Sequence, residues 1–438
     1  MATLDRWKHL LHGPGRVAFP RLWLQGRDFD PALVEGSGEV RFADITSFTF
    51  TLRGRPEDPS FAAAQFDFQK LNPYDPLARF RLFGTDTDGR EWSLGWTVPR
   101  LDATHEQWVL EGDLEGISTV DESASVADTS STELMFVIPA QHPLIPLMGR
   151  VAPNSEKATH VTTVLGSQLS VCYDAAHQAL SITAAHSDHL PPTYSENWLG
   201  EPLRILFGQL IYPRLVARNL GGRRSYVFVR RAHGVSSTGT WAALLGHENI
   251  RGVSFSLWSR YEELLALIAR ARGKDGHPNF ESHKITRLYE EIIQATVGTR
   301  WVWALTLASS IEALVYMLGR VGKARGGDTE DAARQQLVDY ITESTSNERL
   351  KKSAINAVNR ASKISSVDHL RELMSSNVLT KRQYDAWYEL RNSVMHGSLV
   401  SPYSTEEEDD KLLALLETLH VLTLEVLRLP ASTRQLST

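Results

Sequence analysis

The alternation of apolar and polar residues predicts β-strands throughout the first part of the chain, residues 1–192. Phe48, Phe50 and Leu52 alternate with Thr and Arg, which is the period of a half-buried strand. Two further apolar runs flank Asp86-Thr-Asp-Gly89, and the Asp-Gly pair favours a tight hairpin turn. Other strands are predicted at 108–110, 134–138, 169–173 and 180–183. Many short strands with this punctuation predict a sandwich or barrel-like domain.

A mixed pattern follows over residues 193–279. Helical periodicity at 197–215 and at 261–272 surrounds a predicted strand that begins at Tyr226. The run from Gly273 to Asn279 has the composition of a turn or linker. We therefore predict a mixed α/β connector between two larger domains.

Residues 280–438 show helical periodicity throughout, which predicts an all-α bundle. Thr380 can cap one helix, and Gly397 supplies the residue type that commonly ends helices. Ser404 or Thr405 opens the last helix, with glutamates placed for a capping box. The predicted helices fall near 282–296, 300–320, 328–344, 347–360, 366–375, 380–396 and 405–429. The predicted fold class is α+β.

Composition and net charge exclude several classes of protein. A chain of 438 residues with 42% hydrophobic residues is globular and long enough for two or three domains. The net charge of −6 excludes a polycation that coats nucleic acid, so any RNA contact must be local. The single cysteine, Cys172, excludes an internal disulfide framework and a Cys-rich zinc module.

The sequence predicts neither secretion nor membrane insertion. The N-terminus has no apolar stretch of signal-peptide length. The two most apolar segments, 301–318 and 412–429, are interrupted by acidic residues and are therefore predicted to be core helices. We expect a cytoplasmic protein.

Common chemical motifs are missing or incomplete. The Gly-rich run 319–327 follows a predicted helix and not a strand, so it does not match a phosphate-binding loop. His186-Ser-Asp-His189 has no second ligand cluster near it in sequence, and we predict no metal and no cofactor. Arg223-Arg224 and Arg230-Arg231 flank a strand, where contact with an RNA backbone and simple solvation both remain open.

One helix near the C-terminus carries residues suited to acid–base chemistry. At 100° per residue, Arg391 lies in the middle of an apolar stripe. The stripe consists of Tyr384, Trp387, Tyr388, Val394 and Met395. Because a guanidinium keeps its proton, burying it requires a partner, which could be a carboxylate, a second subunit or a phosphate.

Asn392 and His396 are four residues apart and therefore neighbours on the helix surface, where the Asn amide can orient the imidazole. The negative end of the helix favours the charged form of His396. This pairing suits RNA cleavage, because the imidazole can accept the 2′-hydroxyl proton while Arg391 stabilises charge on the phosphorane. A purely structural alternative remains open, in which Arg391 pairs with a buried acid and His396 caps the helix.

Arg391-Asn-Ser-Val-Met-His396 resembles the Arg-x4-His motif of HEPN domains, and the Glu-Ala-Leu segment of 305–315 is similar to their first core helix. A strand-rich domain ahead of a C-terminal HEPN domain is also the layout of the ApeA-type anti-phage proteins, which the chain resembles. The resemblance implies a metal-independent endoribonuclease that acts as a homodimer. It implies that Arg391 and His396 are catalytic and that Asn392 supports them.

The same resemblance implies a role in abortive-infection defence, with RNA as the substrate. The strand-rich domain would sense a phage-derived trigger or restrain the nuclease. Two alternatives stay open. The first is a non-catalytic dimerisation or binding protein. The second is a toxin controlled by a separate antitoxin, for which Tyr388 and Tyr403 are candidate positions of modification.

Glu312 lies on an otherwise apolar predicted helix and therefore also needs a partner. We predict that Glu312 approaches Arg391 to within about 8 Å, the limit for a direct pair or one bridging water. In that position it would support the guanidinium. The competing partner for Glu312 is another cation, such as Arg320.

Overall fold

The computed structural model describes residues 2–26, 31–72, 75, 78–103, 107–123, 129–148, 157–235, 257–273, 275–278, 282–323, 328–361, 363–395 and 405–429. Over these residues the chain is α+β, as predicted, and folds into two compact units. The first, the sheet unit, comprises Met1–Thr240 with Ser254–Ala269. Arg270–Thr438 belongs to the second, the helical unit.

The described strands of the sheet unit form one antiparallel sheet of 14 strands. They are β1 (Gly15–Gln25), β2 (Ala32–Phe42), β3 (Phe48–Arg55), β4 (Phe80–Thr85), β5 (Glu91–Thr97), β6 (Arg100–Ala103), β7 (Trp108–Asp113), β8 (Gly116–Asp121), β9 (Ser130–Val137), β10 (Lys157–Val164), β11 (Ser167–Asp174), β12 (Ala179–Ala185), β13 (Leu215–Leu220) and β14 (Ser225–Arg230). Their order across the sheet is β10-β11-β12-β9-β13-β14-β8-β5-β4-β1-β2-β3-β7-β6.

The hydrogen-bonded ladder is continuous from β10 to β6, so the structure shows one antiparallel sheet where we predicted a sandwich or barrel-like domain. Alternation along a strand shows that one face is buried, but it does not identify the neighbouring strand. The narrowest junction joins β5 to β8 through Trp92 with Thr119 and Ser93 with Ser118.

The connector predicted at 193–279 is divided between the two units. Its strands β13 and β14 lie in the interior of the sheet, between β9 and β8, which come much earlier in the chain. Its helices group with the sheet as far as Ala269, and the chain from Arg270 groups with the helical unit. No local sequence pattern shows that a strand will be inserted between strands from much earlier in the chain. Residues 193–279 were therefore predicted as a separate connector.

Local sequence accounts for the hairpin of β4 and β5. Gly89 has φ +80°, a conformation that favours glycine, and closes the turn between β4 and β5. The Asp86 carboxylate accepts hydrogen bonds from the backbone N–H of Asp88 and Arg90 and from Nε1 of Trp92. The predicted Asp-Gly hairpin is therefore confirmed.

The described α-helices are α1 (Pro59–Leu71), α2 (Pro192–Phe207), α3 (Leu257–Arg270), α4 (Lys284–Ala295), α5 (Arg300–Met317), α6 (Asp328–Glu343), α7 (Glu348–Ala361), α8 (Ser366–Ser375), α9 (Lys381–Met395) and α10 (Glu406–Arg428). A 3-10 helix, Thr3–Leu10, precedes β1. We did not predict α1, although Asp58 at the N-cap and Pro59 at the first position favour a helix start. None of the described helices is both long and apolar enough to cross a bilayer.

In the helical unit, α5 packs against α4, α8, α9 and α10, and α9 also packs against α8 and α10. The pair α6 and α7 forms a helical hairpin. Thr380 and Gln383 exchange hydrogen bonds at the start of α9, and Thr405 accepts from the backbone N–H of Glu408 at the start of α10. Both predicted N-terminal caps are therefore confirmed, with Thr405 as the cap of the last helix.

Candidate functional site in the helical unit

The face of α9 that packs into the core differs from the apolar stripe that we predicted. Trp387 is completely buried and Tyr384 nearly so, but Tyr388 is 44% exposed. Among the α9 side chains that the structure describes, which do not include Val394 and Met395 of the predicted stripe, the remaining buried positions are Gln383, Ala386 and Leu390. The helical wheel counted Tyr388 as apolar, although its hydroxyl is satisfied in water. Arg391 consequently lies at the edge of the buried face and not in its middle.

The predicted approach of Glu312 to Arg391 is confirmed. Oε2 of Glu312 on α5 lies 3.5 Å from Nε of Arg391 on α9, and both side chains are about one-third exposed, at 31% and 32%. The contact is an ion pair that is longer than an ordinary N–H···O hydrogen bond. The competing cation, Arg320, pairs with Glu372 instead.

Two further groups surround the ion pair. The Arg391 guanidinium lies 5.6 Å from the ring centre of Trp387, within the range of a cation–π contact. Trp387 in turn donates from Nε1 to the main-chain oxygen of Ala308, at 3.3 Å, which fixes the indole against α5. The ring and the carboxylate together restrict the position of the guanidinium.

Ser366 is a member of this cluster that the sequence did not identify. Its hydroxyl donates to Oε1 of Glu312 at 3.2 Å, so the two oxygens of this carboxylate face Ser366 and Arg391 separately. Ser366 begins α8, directly after a capping box formed by Ser365 and Asp368. The capping pattern alone could locate the helix start, but not the partner of the next serine.

His369, one turn further along α8, is buried to 2% exposure. Neither ring nitrogen makes a hydrogen bond, and Nδ1 lies 3.6 Å from Oε2 of Glu372, beyond hydrogen-bond range. Burial lowers the pKa of His369 and outweighs the opposing effect of the Glu372 charge. The imidazole is therefore neutral near pH 7.

The remaining predicted site residues lie at the end of the described helix or beyond it. Asn392 is half-buried next to Arg391. His396 and Gly397 lie outside the described residues, as does Tyr403. The roles assigned to Arg391, Asn392 and His396 therefore stay predictions.

The other polar segments have structural partners. Ring nitrogens of His186 contact the hydroxyls of Ser130 and Thr132, and burial lowers the pKa of this histidine. Over the described residues, no group of three or more His, Cys, Asp or Glu side chains is placed to hold a metal ion. Arg230 and Arg218 both pair with Glu196. Arg230 lies on β14, which is an interior strand of the sheet and not an edge strand.

Comparison of the chain with protein-family models, with curated proteins and with solved structures gave no match.

Proposed function

We propose that the chain is a metal-independent endoribonuclease whose reaction centre is built around Arg391 and His396. The observation that carries the proposal is the setting of Arg391. Its guanidinium is partly exposed, and Glu312 and Trp387 restrict its position. A permanent cation held in this way is suited to binding a phosphodiester, and a histidine follows it by five positions in the sequence.

In the proposed reaction, His396 accepts the proton of a 2′-hydroxyl, and the resulting oxygen attacks the adjacent phosphorus. The bond from phosphorus to the 5′-oxygen breaks, and that oxygen takes a proton to leave as a 5′-hydroxyl. The other product ends in a 2′,3′-cyclic phosphate. Arg391 stabilises the charge that builds up on the phosphorane oxygens. Asn392 orients the imidazole, and Glu312 positions the guanidinium.

The finer assignment of the helical unit as a HEPN bundle belongs to the same proposal. Its supports are the Arg-x4-His spacing in the sequence, which begins at Arg391 on α9, and the packing of that helix against α5, which carries the Glu-Ala-Leu segment. HEPN-type action implies a homodimer in which two such motifs face one cleft. The partly exposed setting of Arg391, beside the exposed ring of Tyr388, is compatible with a shared cleft.

We place this activity in anti-phage defence, with the sheet unit as the part that senses a phage-derived trigger or restrains the nuclease. An unregulated ribonuclease harms its own cell, so a second unit that controls it is expected. In this setting, expression slows growth under the triggering condition. His396→Ala and Arg391→Ala each abolish that effect.

The direct test is incubation of the purified full-length protein with total RNA, followed by sequencing of the new ends. The parent protein should produce 2′,3′-cyclic phosphate and 5′-hydroxyl ends, with and without EDTA. Arg391→Ala and His396→Ala should lose cleavage. Lys381→Ala, which removes an exposed cation from the same helix, should retain it. If both site variants cleave like the parent, the nuclease assignment must be abandoned.

A toxin–antitoxin version of this function receives support from Tyr388. Its ring is 44% exposed and stacks on Tyr384, 6.0 Å away, one helical turn before Arg391. A separate antitoxin enzyme could reach this phenol and block the site by modifying it. Co-expression with a neighbouring gene should then add mass to the protein, and Tyr388→Phe should prevent the addition.

A further inference from the structure

Helix α7 carries an uncompensated row of positive charge. Arg349, Lys352 and Arg360 project from one side of the helix, within about 80° of each other at 100° per residue, and span about 16 Å along the axis. Asn356 lies between them on the same side. All four side chains are exposed.

The row continues beyond the helix. Lys363 follows α7, and the backbone N–H of Ile364 donates to the main-chain oxygen of Lys323 at 3.0 Å. Because Ile364 also accepts from the N–H of Gly322, the loop after α5 runs beside the segment after α7. Lys323 and Lys363 are therefore neighbours, and both are exposed. We call the five cations Arg349, Lys352, Arg360, Lys363 and Lys323 the basic stripe.

None of the five basic-stripe side chains has a hydrogen bond or an ion pair within the described part of the chain. By contrast, the neighbouring cations of the hairpin are engaged. Lys351 pairs with Glu348 and donates to the main-chain oxygen of Thr342, and Arg334 pairs with Asp331. An unpaired row of this kind has no stabilising role in the folded chain, because like charges in a line repel one another.

The opposite side of α7 is used for packing. Ala354, Ile355 and Val358 are half-buried on that side, and α7 packs against α6. At the margin between the two sides, close to Lys352, Arg334 of α6 donates to Asn359 at 3.1 Å. The hairpin contact therefore fixes which side of α7 faces outward. The outward side is the one that carries the basic stripe.

The stripe ends next to the candidate site. The segment that follows Lys363 enters α8, whose first residue, Ser366, donates to Glu312, the partner of Arg391. All of these residues belong to the helical unit. A strand of RNA bound along the stripe would therefore be led toward the guanidinium.

We propose that the basic stripe binds the phosphate backbone of the RNA that the Arg391 site cleaves, an inference that rests on the proposed nuclease function. Phosphates are the complementary partner of a row of unpaired cations, and such contacts are independent of base sequence. RNA is favoured over an acidic protein because the row runs toward a cation suited to a phosphodiester.

The test measures binding of a fluorescent single-stranded RNA to the full-length His396→Ala protein, which prevents cleavage, at several salt concentrations. The stripe variant adds Arg349→Gln, Lys352→Gln, Arg360→Gln and Lys363→Gln. The control variant adds Arg16→Gln, Arg53→Gln, Arg79→Gln and Arg100→Gln, which remove the same amount of charge from exposed positions of the sheet unit. A shared thermal-unfolding midpoint shows that each variant is folded.

The stripe variant should bind the RNA at least about 10-fold more weakly at low salt. The slope of its plot of log K against log salt should be shallower by about 3, because each of the four lost phosphate contacts on a single strand contributes about 0.7. The control variant should match its parent. Equal affinity and slope for the stripe variant and its parent would overturn the inference. Displacement of the RNA by poly-L-glutamate at equal charge concentration would overturn it in favour of an acidic protein partner.

The two proposals can fail separately. Loss of binding in the stripe variant, together with no cleavage of any RNA by the parent, supports the stripe and rejects the nuclease. Cleavage that depends on Arg391, with unchanged binding and unchanged cleavage in the stripe variant, supports the nuclease and rejects the stripe.

Discussion

Glu312 and Arg391 form an ion pair between α5 and α9, with Oε2 and Nε 3.5 Å apart. The pair is partly exposed, so its contribution to folding is small, on the order of 0–1 kcal/mol. Its consequence is geometric, because the carboxylate also accepts from Ser366 and is therefore fixed from a third helix. In the proposed reaction, a guanidinium positioned by such a carboxylate binds the phosphate without rearrangement.

The first prediction concerns Glu312 as a positioning residue. In Glu312→Gln, the charge that holds Arg391 is lost, and kcat for RNA cleavage should fall about 10-fold to 100-fold, the cost of misplacing a group that must meet the reacting atoms. KM and the unfolding midpoint should change little. Single-turnover kinetics and thermal unfolding measure the two effects independently.

The matched control for that variant is Glu425→Gln on α10, which removes the same charge from an ion pair with Arg428. It should leave cleavage unchanged. An equal loss of kcat in both variants would mean that Glu312 has no specific part in positioning Arg391.

The second prediction concerns Trp387. Its side chain is completely buried and its indole N–H donates to the main-chain oxygen of Ala308, so Trp387→Ala leaves a cavity and removes that hydrogen bond. We expect a loss of about 3–5 kcal/mol in the free energy of unfolding. Urea unfolding measures it. Tyr388→Ala, at an exposed position of the same helix, should cost less than about 1 kcal/mol.

Much of the helical unit could be predicted because its signals are local. The caps at Thr380 and Thr405 and the bounds of the helices follow from residues that are neighbours in sequence. Glu312 and Arg391 could be paired because Glu312 lies on a largely apolar helix and Arg391 lies among apolar positions of its own helix, so both charges require compensation. The contact of Ser366 with Glu312 could not be predicted, because the hydroxyl of a serine at a helix start is as readily solvated as bonded to a distant carboxylate.

The sheet was predicted less completely for a related reason. Alternation at Phe48, Phe50 and Leu52 shows which face of β3 is buried, but not that β13 and β14 lie between β9 and β8. Strand order depends on long-range pairing, which the sequence does not encode in a short window. The buried cation Arg214 was missed because arginine is seldom fully buried.

The third prediction concerns Arg214, the residue directly before β13. Its guanidinium carbon lies 5.4 Å and 4.3 Å from the ring centres of Phe42 and Phe48. It donates to three main-chain oxygens, those of Leu10, Ile45 and Arg230. Burial lowers its pKa to about 10, so it stays charged at neutral pH.

Arg214→Ala removes all three donors and opens a cavity between two aromatic rings. The free energy of unfolding of the sheet unit should fall by about 3 kcal/mol or more. Hydrogen exchange of peptides from β1 to β3 locates the loss, and Arg53→Ala, at an exposed position, should change stability by less than about 0.5 kcal/mol. Unchanged exchange in Arg214→Ala would show that the main-chain oxygens find other donors.

The last prediction is a pH dependence of the helical unit that originates at His283. This residue is buried at the start of α4, where its Nδ1 accepts a hydrogen bond from the backbone N–H of Ile285, at 3.2 Å. Burial, with the nearby charges of Arg287 and Lys284, lowers the pKa of His283 from 6.5 to about 4. The folded unit therefore holds the neutral imidazole, which can serve as the N-cap acceptor.

The sign of the effect follows from proton uptake. Below pH 6.5 the unfolded chain binds a proton at this residue and the folded chain does not, so stability falls as the pH falls from about 6.5 toward 4. Between pH 7 and pH 5 the loss should be about 2 kcal/mol. Urea unfolding at several pH values, followed by hydrogen exchange in α4, measures it. His283→Asn keeps a capping oxygen but does not titrate. Its stability should therefore lack this part of the pH dependence, and an unchanged profile would assign the effect to other groups.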